Sequence, residues 1–124
     1  PLNATEQYKF TRRQLQNLIS RSRSRLGSFV GDITRHYMRY HADTEGFNGG
    51  YLHDPIAVAV ALFPNLARTR KLHVEIETRG GITRGMTVAH LRIPHRMAVP
   101  KVNVVESIDV ERFISLFNRR VFAR

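Results

Sequence analysis

The residues best suited to chemistry stand side by side in Gly49-Gly50-Tyr51-Leu52-His53-Asp54-Pro55-Ile56-Ala57-Val58-Ala59-Val60. An imidazole titrates near neutrality, and a carboxylate offers hard oxygen atoms. Their setting matters as much as their types. The two glycines predict a turn. Asp54 fits the N-cap of a helix, and Pro55 fits its first position, where the missing N–H costs nothing. The apolar run from Ile56 then pins the helix start into a core, so His53 and Asp54 are held at a rigid helix entrance. The same pattern also describes a helix in which Asp54 only caps and His53 only packs. Local pattern leaves both readings open.

Other elements must position this pair. Thr11-Arg12-Arg13-Gln14 has capping-box spacing, and Leu15, Leu18 and Ile19 form an apolar stripe behind it. A short helix over about residues 12–20 is predicted. Ser20 to Ser28 alternates serine with Arg21, Arg23 and Arg25 and reads as a solvated connector. A second helix is expected over about residues 28–41, with Phe29, Ile33, Tyr37 and Tyr40 on one face. Turn chemistry from Asp43 to Gly50 ends it. The Asp54-capped helix is expected to stop near Phe63-Pro64.

The period then changes. Leu72 to Thr78 alternates apolar and polar residues, Gly80-Gly81 marks a turn, and Thr87 to Leu91 reads as a returning strand. Glu75 and Glu77 resemble paired carboxylates, but the alternation assigns them to the wet face of a strand. Arg92 to Lys101 is expected to be a loop and Val102 to Val105 a further strand. Asp109 caps a last helix with the stripe Val110, Phe113, Ile114, Phe117 and Val121. His36, His73, His90 and His95 show no partner pattern and are assigned to surface or strand positions.

Composition bounds the possibilities. The 124 residues suffice for a single domain over 1–124. Twenty Lys and Arg against ten Asp and Glu give a net charge of +10. Such a balance favours nucleic acid, anionic membrane or acidic partners, or a basic face covered by a more acidic part of the same protein. Charge without a nucleic-acid motif supports only non-specific phosphate contacts, so nucleic acid is not the expected partner. The longest apolar run, Ile56 to Phe63, is too short to span a bilayer. No cysteine is present, which removes disulfides and thiolate metal sites and suits a reducing compartment without requiring one; a cytoplasmic location is the default expectation. The opening residues lack a signal peptide's charged and apolar regions and read like the middle of a longer protein.

Leu52 to Ala59 resembles the late active-site segment of the inosine-uridine type nucleoside hydrolases. Val74 to Thr78, Thr83 to Val88, Pro100 to Val104 and Ile108 to Phe113 follow that family's pattern in order, and Pro1-Leu2-Asn3-Ala4-Thr5 resembles the strand that opens its last portion. The resemblance covers nearly the whole chain. It implies an α/β fold in its incomplete C-terminal part, with several helices plus a small sheet or hairpin. It also implies cleavage of the N-glycosidic bond of ribonucleosides by water, in purine and pyrimidine salvage, with a bound calcium ion. Asp54 would be one calcium ligand, and His53 would give a proton to the leaving base. Tyr37 and His41 would stand beside the base on a mobile helix; the amphipathic stripe explains Tyr37 and Tyr40 equally as core residues, and Tyr40 is assigned to the core.

The family's N-terminal motif, Asp-Thr-Asp-x-Gly-x-Asp-Asp, and its middle Glu-Phe-Asn segment are not in these residues. None of the ten acidic residues forms a close Asp cluster. The resemblance therefore implies a hydrolase only in the complete protein, with a nucleoside as substrate. The isolated chain is expected neither to bind calcium tightly nor to turn over. It is expected to rest on the remainder of its parent chain or on a copy of itself. A non-catalytic assembly or regulatory remnant and a basic nucleic-acid-binding module are the competing readings.

Overall fold

The computed structural model describes residues 1–22, 24–92, 99 and 102–123. Arg23, His95, most of the expected loop from Arg92 to Lys101, and Pro100-Lys101 of the resemblance lie outside the described residues. The elements run α1 (Leu2–Thr5), β1 (Lys9–Thr11), α2 (Arg12–Arg21), α3 (Arg25–Glu45), β2 (Gly49–Tyr51), α4 (His53–Leu62) and a 3₁₀ turn (Pro64–Leu66). They continue as β3 (Ala67–Ile76), β4 (Thr87–His90), β5 (Val102–Ile108) and α5 (Val110–Val121). This is the expected mixture of several helices with small sheets. Among the described residues, no helix is long and apolar enough to cross a membrane.

The expected capping box is present. Thr11 Oγ1 accepts from the Gln14 N–H at 3.2 Å, and Gln14 Oε1 accepts from the Thr11 N–H at 2.8 Å. The serine-arginine connector is much shorter than expected, because Ser24 caps α3 by accepting from the Leu26 N–H at 3.1 Å. α3 therefore takes in Arg25 to Ser28 of that segment and continues to Glu45, where Gly46, with φ of 63°, supplies the left-handed C-cap. Its expected apolar face is only partly the buried one. Met38 and His41 pack inward, while Phe29, Ile33 and Tyr40 stay exposed, so Tyr40 is not a core residue.

Leu2 to Thr5 is a helical turn rather than an opening strand. The N–H groups of Ala4 and Thr5 bond to the Pro1 carbonyl at 3.0 and 3.2 Å, and Glu6 N–H bonds to Leu2 O at 2.8 Å. Backbone groups satisfied locally leave no ladder for a sheet partner.

Among the described residues, two antiparallel sheets form. One is the pair β1–β2, with Phe10 opposite Gly50. The other has the order β4-β3-β5. The long strand β3 pairs its first half with β5 and its second half with β4, so the expected hairpin is one end of a larger ladder. Phe10, Leu66 and Phe113 are fully buried and centre the core, with Leu15, Met38, Ile56 and Phe122 around them. Asp109 caps α5 as expected, accepting from Arg112 N–H at 3.0 Å. The core thus grips α3, β2 and the start of α4 from one side.

Candidate active site

A cleft of about 350 Å³ opens where α3, β2 and α4 meet. Tyr37 and Met38 line it from α3, Gly50 and Tyr51 from β2, and His53 and Asp54 from the head of α4. The adjacent His-Asp pair therefore faces one shared space.

The helix start differs from expectation. α4 begins at His53 with Leu52 in the cap position, and the cap has no side-chain hydrogen bond. Asp54 sits one residue inside the first turn. There its charge complements the partial positive charge of the helix N-terminus, and Pro55 occupies a position whose N–H has no partner in the helix in any case. The Asp54 side chain is exposed and, among the described residues, makes no hydrogen bond or ion pair.

His53 is half-buried, and Thr5 fixes its ring. Thr5 Oγ1 lies 2.7 Å from His53 Nδ1. The same hydroxyl lies 3.4 Å from the Leu2 carbonyl, to which it can only donate. When its proton points there, Oγ1 is free to accept from Nδ1–H, and Nε2 is the ring nitrogen left without a bond to Thr5. Sequence reading missed Thr5, since it stands 48 residues upstream and no motif links the two.

Tyr37 joins α3 to β2. Its hydroxyl donates to the Tyr51 carbonyl at 3.1 Å and accepts from the Tyr51 N–H at 3.3 Å. Burial raises the phenol's pKa further than the hydrogen bond to Tyr51 lowers it, so the hydroxyl stays protonated across the neutral range. The ring can lie this close only because position 50 has no side chain: a Cβ on Gly50 would stand 2.5 Å from Tyr37 Cε1. Tyr51 was not singled out from sequence. Its ring centroid is 5.5 Å from that of His53.

His41 stands behind the cleft. It is 6% exposed, and its Nδ1 lies 2.9 Å from Glu45 Oε1. It meets Tyr37 and Tyr51 edge-on at 4.6 and 5.4 Å between ring centroids. It supports the two tyrosines without lining the cleft itself.

A calcium ion takes about six to eight oxygen ligands. Among the described residues lining the cleft, Asp54 is the one carboxylate. It fits as a single ligand, and the donor set of this chain does not by itself make a calcium site.

The profile of the inosine-uridine preferring nucleoside hydrolases matches residues 1–115. The chain belongs to this family. A pyrimidine-specific ribonucleoside hydrolase of Klebsiella pneumoniae is 33% identical over 113 residues, covering 88% of this chain and 33% of the relative. A plant nucleoside hydrolase superposes with a TM-score of 0.86 at 27% identity, over 99% of this chain and 40% of its own. A purine-preferring ribonucleoside hydrolase from Gardnerella vaginalis gives 0.78 at 30% identity, over 97% and 37%. The chain thus has part of the nucleoside hydrolase α/β fold and spans about a third of the length of the curated relatives it matches.

Proposed function

We propose that this chain supplies the leaving-base side of a calcium-dependent ribonucleoside hydrolase, as the C-terminal portion of that enzyme. One observation carries the reading: in a member of this family, His53 and Asp54 share a cleft with the aromatic rings of Tyr37 and Tyr51. Aromatic faces suit a flat heterocyclic base. When the C–N bond to ribose breaks, its electron pair moves onto the base and positive charge develops on the sugar. A proton delivered to the base makes it a better leaving group. His53 is the acid in this reading, with Thr5 holding Nδ1 and the transferable proton on Nε2. Tyr37 flanks the base, and His41 acts through Tyr37 and Tyr51 rather than by touching it. Asp54 contributes one of the oxygen ligands of the calcium ion, whose remaining ligands come from outside this chain. When bound, that ion supplies positive charge that orients oxygen groups of sugar and water. The lack of cysteine suits a cytoplasmic place in nucleoside salvage.

The test uses the polypeptide that joins this segment to the rest of the family fold. Incubated with a panel of purine and pyrimidine ribonucleosides, it is expected to release ribose and free base without added phosphate. Intact nucleosides throughout, or cleavage that demands phosphate, contradicts the proposal. In the same polypeptide, Asp54→Ala is expected to raise the calcium concentration needed for half-maximal activity. An unchanged calcium requirement removes Asp54 from the ligand set.

A further inference from the structure

The hairpin β3–β4 carries a constellation remote in sequence from the cleft. His73 and Glu75 are two residues apart on β3 and so project from the same face. His90 on β4 is the direct ladder partner of His73. From sequence, these histidines were expected to have no partners. The ladder makes them neighbours, with ring centroids 5.0 Å apart. His73 Nε2 lies 3.0 Å from Glu75 Oε1, and His90 Nε2 lies 3.3 Å from Glu75 Oε2. One ligand atom from each of the three residues lies within 4.8 Å of the others.

We propose that His73, Glu75 and His90 form a binding site for a borderline-soft divalent transition metal, with zinc the best fit. Two imidazole nitrogens and a carboxylate are a donor set that zinc accepts, whereas calcium prefers oxygens throughout. Ligand bonds of about 2.0–2.2 Å in a tetrahedral site put donor atoms roughly 3.3 Å apart. Each histidine nitrogen lies near that spacing from one of the two Glu75 oxygens, and one donor atom from each residue lies within 4.8 Å of the others, so the side chains must draw together by about an ångström around a single carboxylate oxygen. Glu75 and His90 are exposed and His73 is 23% exposed at its side chain, so an ion can enter and a fourth position stays open to water or ligand. A cleft of about 300 Å³, lined in part by Glu75, Val88 and His90, adjoins that open side.

The scaffold is firm enough to hold such geometry. Beyond the ladder, Gly85 N–H donates to Glu77 O at 2.7 Å and Glu77 N–H to Met86 O at 2.9 Å. Glu77, on the same face as the three ligands, is already engaged: its Oε1 accepts from the N–H groups of Arg79 and Gly80 at 2.7 and 2.9 Å. It stabilises the turn and leaves coordination to the other three. Bound metal would tie β4 to β3 at its His90 end. This inference is independent of the nucleosidase reading and uses none of its residues.

The test is zinc titrated into the whole chain, stripped of metal, in competition with a chromophoric chelator. Cobalt(II) serves as a second, spectroscopic probe. The expected result is one equivalent of zinc bound in the micromolar range or tighter, with visible cobalt bands of a four-coordinate site. His73→Ala, His90→Ala and Glu75→Gln should each weaken binding by about ten-fold or more, while His36→Ala leaves it unchanged. Zinc should also raise the melting temperature of the parent chain but not of the variants. Glu75→Gln preserves size and strand position, so it reads the site even if a histidine variant loosens the hairpin. Absence of zinc binding, or affinity unchanged in Glu75→Gln and the histidine variants, overturns the proposal.

Discussion

The His53 ring depends on Thr5, whose hydroxyl is the ring's one hydrogen-bond partner among the described residues. Thr5 acts as a positioning residue. Thr5→Val keeps the shape and removes the hydroxyl, freeing the ring to rotate. In the assembled enzyme, kcat is expected to fall about ten-fold with KM nearly unchanged, since a misplaced acid affects bond breaking more than binding. Thr5→Ser should restore most of the loss. Equal loss in both variants would assign Thr5 a packing role only. At this scale the sequence was legible where partners are adjacent. His53 and Asp54 sit next to each other, so their shared environment followed from one helix entrance. Thr5 and His53 meet across 48 positions, and His73 meets His90 only through strand register, so neither pairing had a local signal. Asp54 was misassigned as a cap because its neighbour Pro55 is tolerated anywhere in the first turn, not only at its first position.

Among the elements, α5 holds the molecule together most directly. Its Phe113 is 2% exposed and stacks on Phe117, which in turn meets Phe10 edge-on at 6.0 Å. Phe113→Ala should cost about 3–5 kcal/mol, close to the whole stability of a small domain. Asp109→Ala removes the cap and should cost about 1 kcal/mol, read as a lower urea midpoint at unchanged slope. A smaller effect for Phe113→Ala than for Asp109→Ala would contradict this account of the core. Capping side chains with a clear stripe behind them, as in α2 and α5, made those helices legible in sequence. Strands β1 and β2 were not, because three residues are too few to show a period. α3 was visible as a helix but misread in its facing. Its stripe of Phe29, Ile33 and Tyr40 is apolar yet largely unburied, and periodicity cannot distinguish a covered face from an uncovered one.

At the scale of the whole molecule, that uncovered face has a counterpart. Val58, Leu62 and part of Phe63 on and after α4 are exposed too. Apolar patches on two helices should drive association in the absence of a covering partner. The isolated chain is expected to elute above its monomer mass of 14.3 kDa and to bind a hydrophobic dye. A monodisperse monomer that excludes the dye would contradict that expectation. Calorimetry should find no submicromolar calcium binding, because the cleft offers one carboxylate.

We propose that His53 protonates the departing base once the family fold is complete. The measurement that addresses it most directly compares His53→Ala with the parent enzyme on two substrates. One is a natural ribonucleoside, and the other is an aryl riboside whose leaving group departs as a stable anion. Turnover of the nucleoside should fall by about 10²–10⁴-fold, with the aryl riboside affected far less. Equal losses on both substrates, or no loss on the nucleoside, would contradict the claim.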